Sequence, residues 1–320
     1  MRIVKQDFYD KFLCAADKCI DTCCQGWQII DDEGNVLPFV DNKCPKMNEK
    51  GLCTQVLEKG EESLCYICHM YPRHVEEYDG VREWSLSLSC PEALRMTICE
   101  ERPASYVVEE NDEEEPMSDD FDDFDYMLYS KLEDSRECMY GILKNQNLDI
   151  YKRMAIILKM SYELQLCADE GQYFDMDDII KKYEDISYIE GIESLNPYDE
   201  FDEHSGILLE LEKLWEDWND VLNKIPDIKS EKKKSIATPM MLENILESMI
   251  YTYYLGAVYD YFIYAKTAFC VYTVIFTDRL ASLASDMDDY LRIVYKYARE
   301  VEHSDENINK LLEYWDEFCK

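Results

Sequence analysis

From Phe124 onward, apolar residues recur at intervals of three and four, the period that lays side chains along one face of a helix. Ile150, Met154, Ile157 and Leu158 share one such stripe. Leu208, Leu211, Trp215, Trp218, Leu222 and Ile225 form a second, which Pro226 is expected to stop. Met240 to Leu283 predicts two long helices bent near Gly256, and Met287 to Val301 predicts another behind the capping candidates Ser285 and Asp288. Ser304 is placed to cap a last helix striped by Ile308, Leu311, Leu312, Trp315 and Phe318. No alternating strand pattern competes with these stripes.

The first hundred residues read differently, because cysteines rather than apolar stripes organise them. Ten of the fourteen cysteines precede residue 100: Cys14, Cys19, Cys23, Cys24, Cys44, Cys53, Cys65, Cys68, Cys90 and Cys99. Behind them, Glu109 to Asp125 is mostly Asp and Glu broken by Pro116, too poor in apolar surface to pack. The reading is therefore a cysteine-rich domain over 1–105, an acidic linker over 106–123 and an all-helical domain over 124–320. In class the protein is mainly α, a small irregular cysteine-rich metal-binding domain followed by a helical bundle. The basic run Lys229 to Lys234 is expected as a surface loop.

Charge narrows the partners. Against 33 Lys and Arg stand 69 Asp and Glu, a formal charge of -36 that repels phosphate backbones and anionic lipid headgroups. Nucleic acid and membrane are excluded on that ground, while a cationic ligand is favoured. The long apolar stretch over 250–276 carries Asp260 and Lys266, so it reads as buried helix rather than a membrane span. Met1 to Asp10 shows neither the basic nor the apolar segment of a secretory signal, and the expected compartment is the cytoplasm.

Fourteen cysteines in a reducing compartment point to metal ligation rather than disulfides. Thiolate is a soft donor that satisfies zinc or an iron-sulfur cluster equally, so donor chemistry alone leaves that choice open. Cys19, Cys23 and Cys24 form one tight group and Cys65 and Cys68 another; Cys14, Cys44, Cys53 and Cys90 are available to complete a shell, with His69 as a nitrogen alternative. Trp27, beside Gly26, is expected as a lid over the metal. Arg73 and His74 follow the second group closely, placed either to orient a cofactor carboxylate or to pair on the surface with Glu76 and Glu77. There is no G-x-G-x-x-G among only ten glycines, which removes a Rossmann-type cofactor site.

Several stretches resemble the flagellin lysine-N-methylases. They are Val4-Lys5-Gln6-Asp7-Phe8-Tyr9, the run Cys19 to Trp27, Leu64 to His74 with its Tyr71-Pro72-Arg73, Ser85-Leu86-Ser87-Leu88-Ser89-Cys90-Pro91-Glu92-Ala93, and Tyr297 to Asn307. The amino-terminal block is also similar to small zinc- or iron-chelating domains. The resemblance implies methyl transfer from S-adenosylmethionine to flagellin lysines, with an iron-sulfur cluster, or zinc, held by the cysteine region. It directs attention to Glu300, Glu302 and His303 as candidates to accept the lysine proton or line its channel, where a helix end coincides with the late motif. His303 and Ser304 equally serve to end one helix and begin the next. The alternative function is a non-enzymatic zinc- or iron-binding protein whose helical domain docks a partner.

Overall fold

The computed structural model describes residues 1–23, 25, 29–41, 43–98, 103–110, 121, 124–193, 196–231 and 233–319. The amino-terminal third contains a four-stranded sheet that the sequence reading does not anticipate. Its strands are β1 (Arg2–Gln6), β2 (Arg73–Tyr78), β3 (Val81–Leu86) and β4 (Tyr106–Glu110), in the order β2-β3-β1-β4. β1 runs parallel to β3 and antiparallel to β4, while β2 and β3 form a hairpin through Asp79 and Gly80, with Tyr78 opposite Val81. Gly80 takes a φ of +73°, a conformation that a Cβ disfavours.

The sheet escapes a hydrophobic-pattern reading because its inward face is largely polar. Gln6, Glu83 and Ser85 point into the molecule and are all buried. Each meets a polar partner on the helices, as buried polar groups must. Gln6 Nε2 donates to Ser248 Oγ at 2.8 Å, Thr252 Oγ1 donates to Ser85 Oγ at 3.2 Å, and the Arg136 guanidinium donates both of its terminal nitrogens to the Glu83 carboxylate at 2.6 Å each.

The helices that matter below are α1 (Pro91–Thr97), α2 (Tyr126–Leu143), α3 (Ile150–Asp169), α4 (Met176–Glu184), α5 (Pro239–Tyr253), α6 (Ile263–Leu280), α7 (Met287–Glu302) and α8 (Asp305–Cys319). Sixteen of the eighteen residues of α6 are buried, which makes it the axis of the bundle. No helix among the described residues is long and apolar enough to cross a membrane. The bend expected near Gly256 is present: α5 passes into a 3-10 turn at Tyr254–Gly256 and a short helix Ala257–Asp260 before Tyr261 turns the chain with a φ of +63°. The protein is thus mainly α, with one small mixed sheet.

Four local expectations are corrected. The acidic linker does not begin at residue 106, because Tyr106-Val107-Val108 are strand formers and pair with β1; residues 111–120, 122 and 123 lie outside the described part. The stripe from Leu208 to Ile225 is not one helix but is divided among a 3-10 turn Ser205–Leu209, a short helix Trp218–Leu222 and the helix Ile225–Glu231, and Pro226 stands in the first turn of the last, where its missing N–H is not needed. Lys229 is accordingly helical, and its Nζ donates to the Asp202 carbonyl at 2.7 Å rather than lying in a loop. Asp286, not Ser285 or Asp288, caps α7 by accepting from the Asp289 N–H at 2.9 Å. Ser304 caps α8 as read, its Oγ accepting from the Asn307 N–H at 3.1 Å.

One apolar core joins the two parts of the chain, since Tyr78, Leu88, Leu94 and Ile98 pack in the same cluster as the helices. Within it, Glu247 of α5 is fully buried with neither carboxylate oxygen hydrogen-bonded, and Lys144 Nζ approaches Oε1 only to 3.6 Å. Burial pushes this carboxyl up to about 7 against the pull of Lys144. The folded state thus binds the proton more tightly than the unfolded chain. The stabilisation is complete below the ordinary carboxylate range and drains away as pH rises through about 7. Glu247→Gln is therefore expected to flatten the fall in urea-unfolding free energy between pH 5 and pH 8, by at most about 3 kcal/mol. An unchanged slope would show that the parent carboxyl is already ionised at pH 5.

Candidate active site

The end of α7, the start of α8, the last two turns of α5 and the strands β2 and β3 converge on one cavity of about 340 Å³. Its size is at the lower end for small-molecule sites. Arg73, His74, Glu302 and His303, four of the residues singled out from sequence, line it together. Glu76 and Asp305 add carboxylates, while Tyr71, Tyr253, Met249 and Leu88 supply aromatic and apolar wall.

Local folding explains the placement. Glu302 is the last residue of α7 and His303 its C-cap, and the Ser304 cap fixes the corner into α8, so both side chains are held at a helix junction. Beyond β3 the chain turns over Leu88 and Ser89, with the Cys90 N–H donating to the Ser87 carbonyl at 3.3 Å. Leu86 and Leu88 are buried in apolar surroundings, while the Ser87 and Ser89 hydroxyls reach Glu302 and His303 at the end of α7.

Glu302 Oε2 accepts from Ser87 Oγ at 2.8 Å, and its Oε1 is buried without a hydrogen-bond partner. Desolvation pushes this carboxyl up to about 7, against Ser87, His74 and Tyr253, which favour its charged form. His303 Nε2 lies 2.8 Å from Ser89 Oγ, and its ring packs 6.0 Å from Tyr71. Although solvent still reaches the ring, the surrounding protein and the Arg299 charge pull it down to about 4, so it is a neutral imidazole at ordinary pH. His74 Nε2 pairs with Glu76 Oε1 at 2.7 Å. Arg73 does not pair with Glu77, which is taken by Arg82; its guanidinium lies 5.5 Å over the Phe12 ring.

Glu300 is not brought to this cavity. It is buried on another face of α7, its Oε2 accepts from the Leu214 N–H at 2.8 Å, and desolvation raises it to about 7. Trp27 and Cys24 lie outside the described residues.

Arg299, which sequence reasoning passed over inside the late motif, ties this corner to the cysteine loops. The residue is 1% exposed; Nε donates to the Ser89 carbonyl at 2.9 Å and an outer nitrogen donates to Asp21 Oδ2 at 2.9 Å. Tyr295 donates its hydroxyl to the same Asp21 oxygen at 2.8 Å. Asp21 sits between Cys19 and Cys23, so the guanidinium faces those thiols, and both exchange charge interactions with it.

The thiols gather in two neighbouring sets. Cys23 is near enough to raise the proton affinity of Cys14, Cys19 and Cys90, while Cys65 and Cys44 raise that of Cys68, and Cys53 and Cys65 that of Cys44. Cys68 also feels Cys23, which links the sets. Burial pushes Cys68 and Cys90 each up to about 12. The donors are right in kind for zinc or iron, yet among the described residues no three Cys, His, Asp or Glu stand where one metal ion would be held. A second depression, of about 410 Å³ between Thr22, Lys43 and Glu49, has no aromatic side chain in its wall among the described residues and does not include Glu302.

Residues 136–319 match the family model described as the FliB lysine N-methylase C-terminal domain. Over 123 residues the chain is 25% identical to a lysine-N-methylase of Salmonella typhimurium, covering 28% of this chain and 31% of that protein. It is likewise 25% identical over 123 residues to the flagellar biosynthetic protein FliU of Salmonella muenchen, of which 73% is covered. The match thus spans about a third of the first relative's length. No solved structure matches.

Proposed function

Since this chain belongs, through residues 136–319, to the family of the FliB lysine N-methylase C-terminal domain, we propose that it methylates lysine side chains of flagellin in the cytoplasm, taking the methyl group from S-adenosylmethionine at the cavity around Glu302. The observation that carries this reading is the Glu302 carboxyl, within the matched region, with its proton affinity raised to about 7 and one oxygen unpartnered, in an acid-lined cavity shared between that region and the strands β2 and β3.

Such a site suits the chemistry. A lysine ammonium cannot attack until it loses a proton, so the protein must bind a cation and then remove that proton. Glu76, Glu302 and Asp305 favour the cation, and Glu302 is tuned near neutral pH to accept the proton. The apolar and aromatic wall fits the butylene stem of lysine. Bound S-adenosylmethionine would supply an electrophilic sulfonium methyl. Arg73 together with the carboxylates matches a ligand that carries both signs of charge, with Arg73 on the carboxylate end. The test is incubation of anaerobically purified protein with labelled S-adenosylmethionine and flagellin, with the label read on lysine by mass spectrometry. Label on lysine is expected; its absence from metal-replete protein contradicts the reading.

The cysteine loops are proposed to hold an iron-sulfur cluster, or zinc, with a structural role; no step above passes through it. As they stand, the described thiols do not close a coordination shell. Anaerobic protein is expected to contain bound metal, and Cys68→Ala to lose it together with several kcal/mol of stability, because metal binding in such loops is folding free energy. Metal content equal to the parent's in Cys68→Ala and Cys23→Ala would remove both thiols from the ligand set.

A further inference from the structure

We propose that Ser87 and Ser89 form a proton relay that carries the proton taken up by Glu302 to His303 and out to solvent. The inference rests on the methylase reading above and adds the route by which the site is reset.

The groups form an unbroken line. Ser87 Oγ stands 2.8 Å from Glu302 Oε2, Ser87 Oγ and Ser89 Oγ are 2.7 Å apart, and Ser89 Oγ is 2.8 Å from His303 Nε2. The first hydroxyl is fixed by the Ser89 N–H, which donates to Ser87 Oγ at 3.2 Å; the second is oriented by Tyr71, whose hydroxyl lies 3.3 Å away. Ser89 is fully buried, so its hydroxyl has no water to exchange with and its partners are these side chains. His303, at the other end, is reached by solvent. Two serines thus connect a shielded carboxyl to a solvent-exposed imidazole.

The ammonium N–H bond breaks, its electron pair stays on nitrogen, and the proton bonds to the Glu302 carboxylate. The carboxyl then passes a proton to Ser87 Oγ while Ser87 gives its own to Ser89 and Ser89 its own to His303 Nε2. The imidazolium releases its Nδ1 proton to water, exchange of the exposed ring with solvent returns the remaining proton from Nε2 to Nδ1, and rotation of the two hydroxyls restores the starting state. The proton rests on Glu302 and only transits His303, because Glu302 is held up near 7 and His303 down near 4. The charged and titratable groups that face them are His74 and Tyr253 on the Glu302 side and Arg299 and Tyr71 on the His303 side, with Glu76 and Asp305 lining the same cavity.

The test compares kcat and KM for lysine methylation in light and heavy water for the parent, Ser87→Ala, Ser89→Ala and Ser87→Thr. Both alanine variants are expected to lower kcat by at least about tenfold with KM little changed. The dependence of rate on deuterium fraction is expected to be curved in the parent and straight in Ser87→Ala, and Ser87→Thr to recover most of the rate. Alanine variants that fold by circular dichroism and keep the parental kcat, or a loss that threonine does not repair, would overturn the relay while leaving the methylase reading intact. No transfer by the unaltered protein would overturn both.

Discussion

Glu302→Gln is expected to reduce kcat for lysine methylation by about 10²- to 10⁴-fold, the range for loss of a positioned general base. The substitution preserves shape and leaves an amide oxygen to accept from Ser87, so the helix junction that holds residue 302 should persist. What it removes is the carboxylate proposed to take the proton. The parent's pH profile carries a second signature. Below about 7 the Glu302 carboxyl is protonated and cannot accept, so activity should fall on the acid side. That limb should vanish from the residual activity of the glutamine variant. A variant with parental kcat would exclude Glu302 as the base.

Arg299→Met is expected to destabilise the protein by about 3 kcal/mol, the lower end for breaking a buried ion pair, because Asp21 retains some access to water. The loss includes several parts: the Asp21 carboxylate keeps the Tyr295 hydroxyl and the Thr22 N–H but no cation, the Ser89 carbonyl loses its donor, and the Tyr295 ring loses a guanidinium 4.7 Å from its centre. Urea unfolding of Arg299→Met, Asp21→Asn and the double variant measures the pair directly, since coupled residues give a non-additive sum. Additivity within about 0.5 kcal/mol would mean that the loop bearing Cys19 and Cys23 is held to α7 by other contacts.

The helical part was legible because its physics is periodic. Ile150, Met154 and Ile157 lie on one face of α3, and the apolar run through 263–280 became the buried axis of the bundle. Errors arose where a local choice is decided by single groups. Pro226 looks like a stop in a stripe but suits a first turn, and three acids and a serine near residue 286 compete for one cap. The sheet was hidden for a different reason. Gln6, Glu83 and Ser85 occupy its inward face and are satisfied by Ser248, Arg136 and Thr252, partners more than fifty residues away that no local window contains. One signal was available and unused: Asp79-Gly80 between Arg73–Tyr78 and Val81–Leu86 is a hairpin turn sequence.

The site shows the same division. Glu302, His303, Arg73 and His74 could be singled out by type and by motif, and the fold places all four in one cavity. Glu300, two residues from Glu302, points elsewhere, because positions two apart on a helix do not share a face. Ser87, Ser89 and Arg299 lie inside the motifs that carry the family resemblance, yet residue type alone gives serine and arginine no assigned task. Their roles emerge only when strand end and helix end are brought within hydrogen-bond distance.

The central claim is that a lysine side chain is deprotonated at Glu302. A crystal structure with S-adenosylhomocysteine and a lysine-containing flagellin peptide tests it most directly. The account predicts the lysine Nζ within about 3 Å of Glu302 Oε1, a hydrogen-bond distance, with its stem along the Met249 and Tyr253 wall. A lysine bound outside this cavity, with Glu302 still paired only to Ser87, would contradict it.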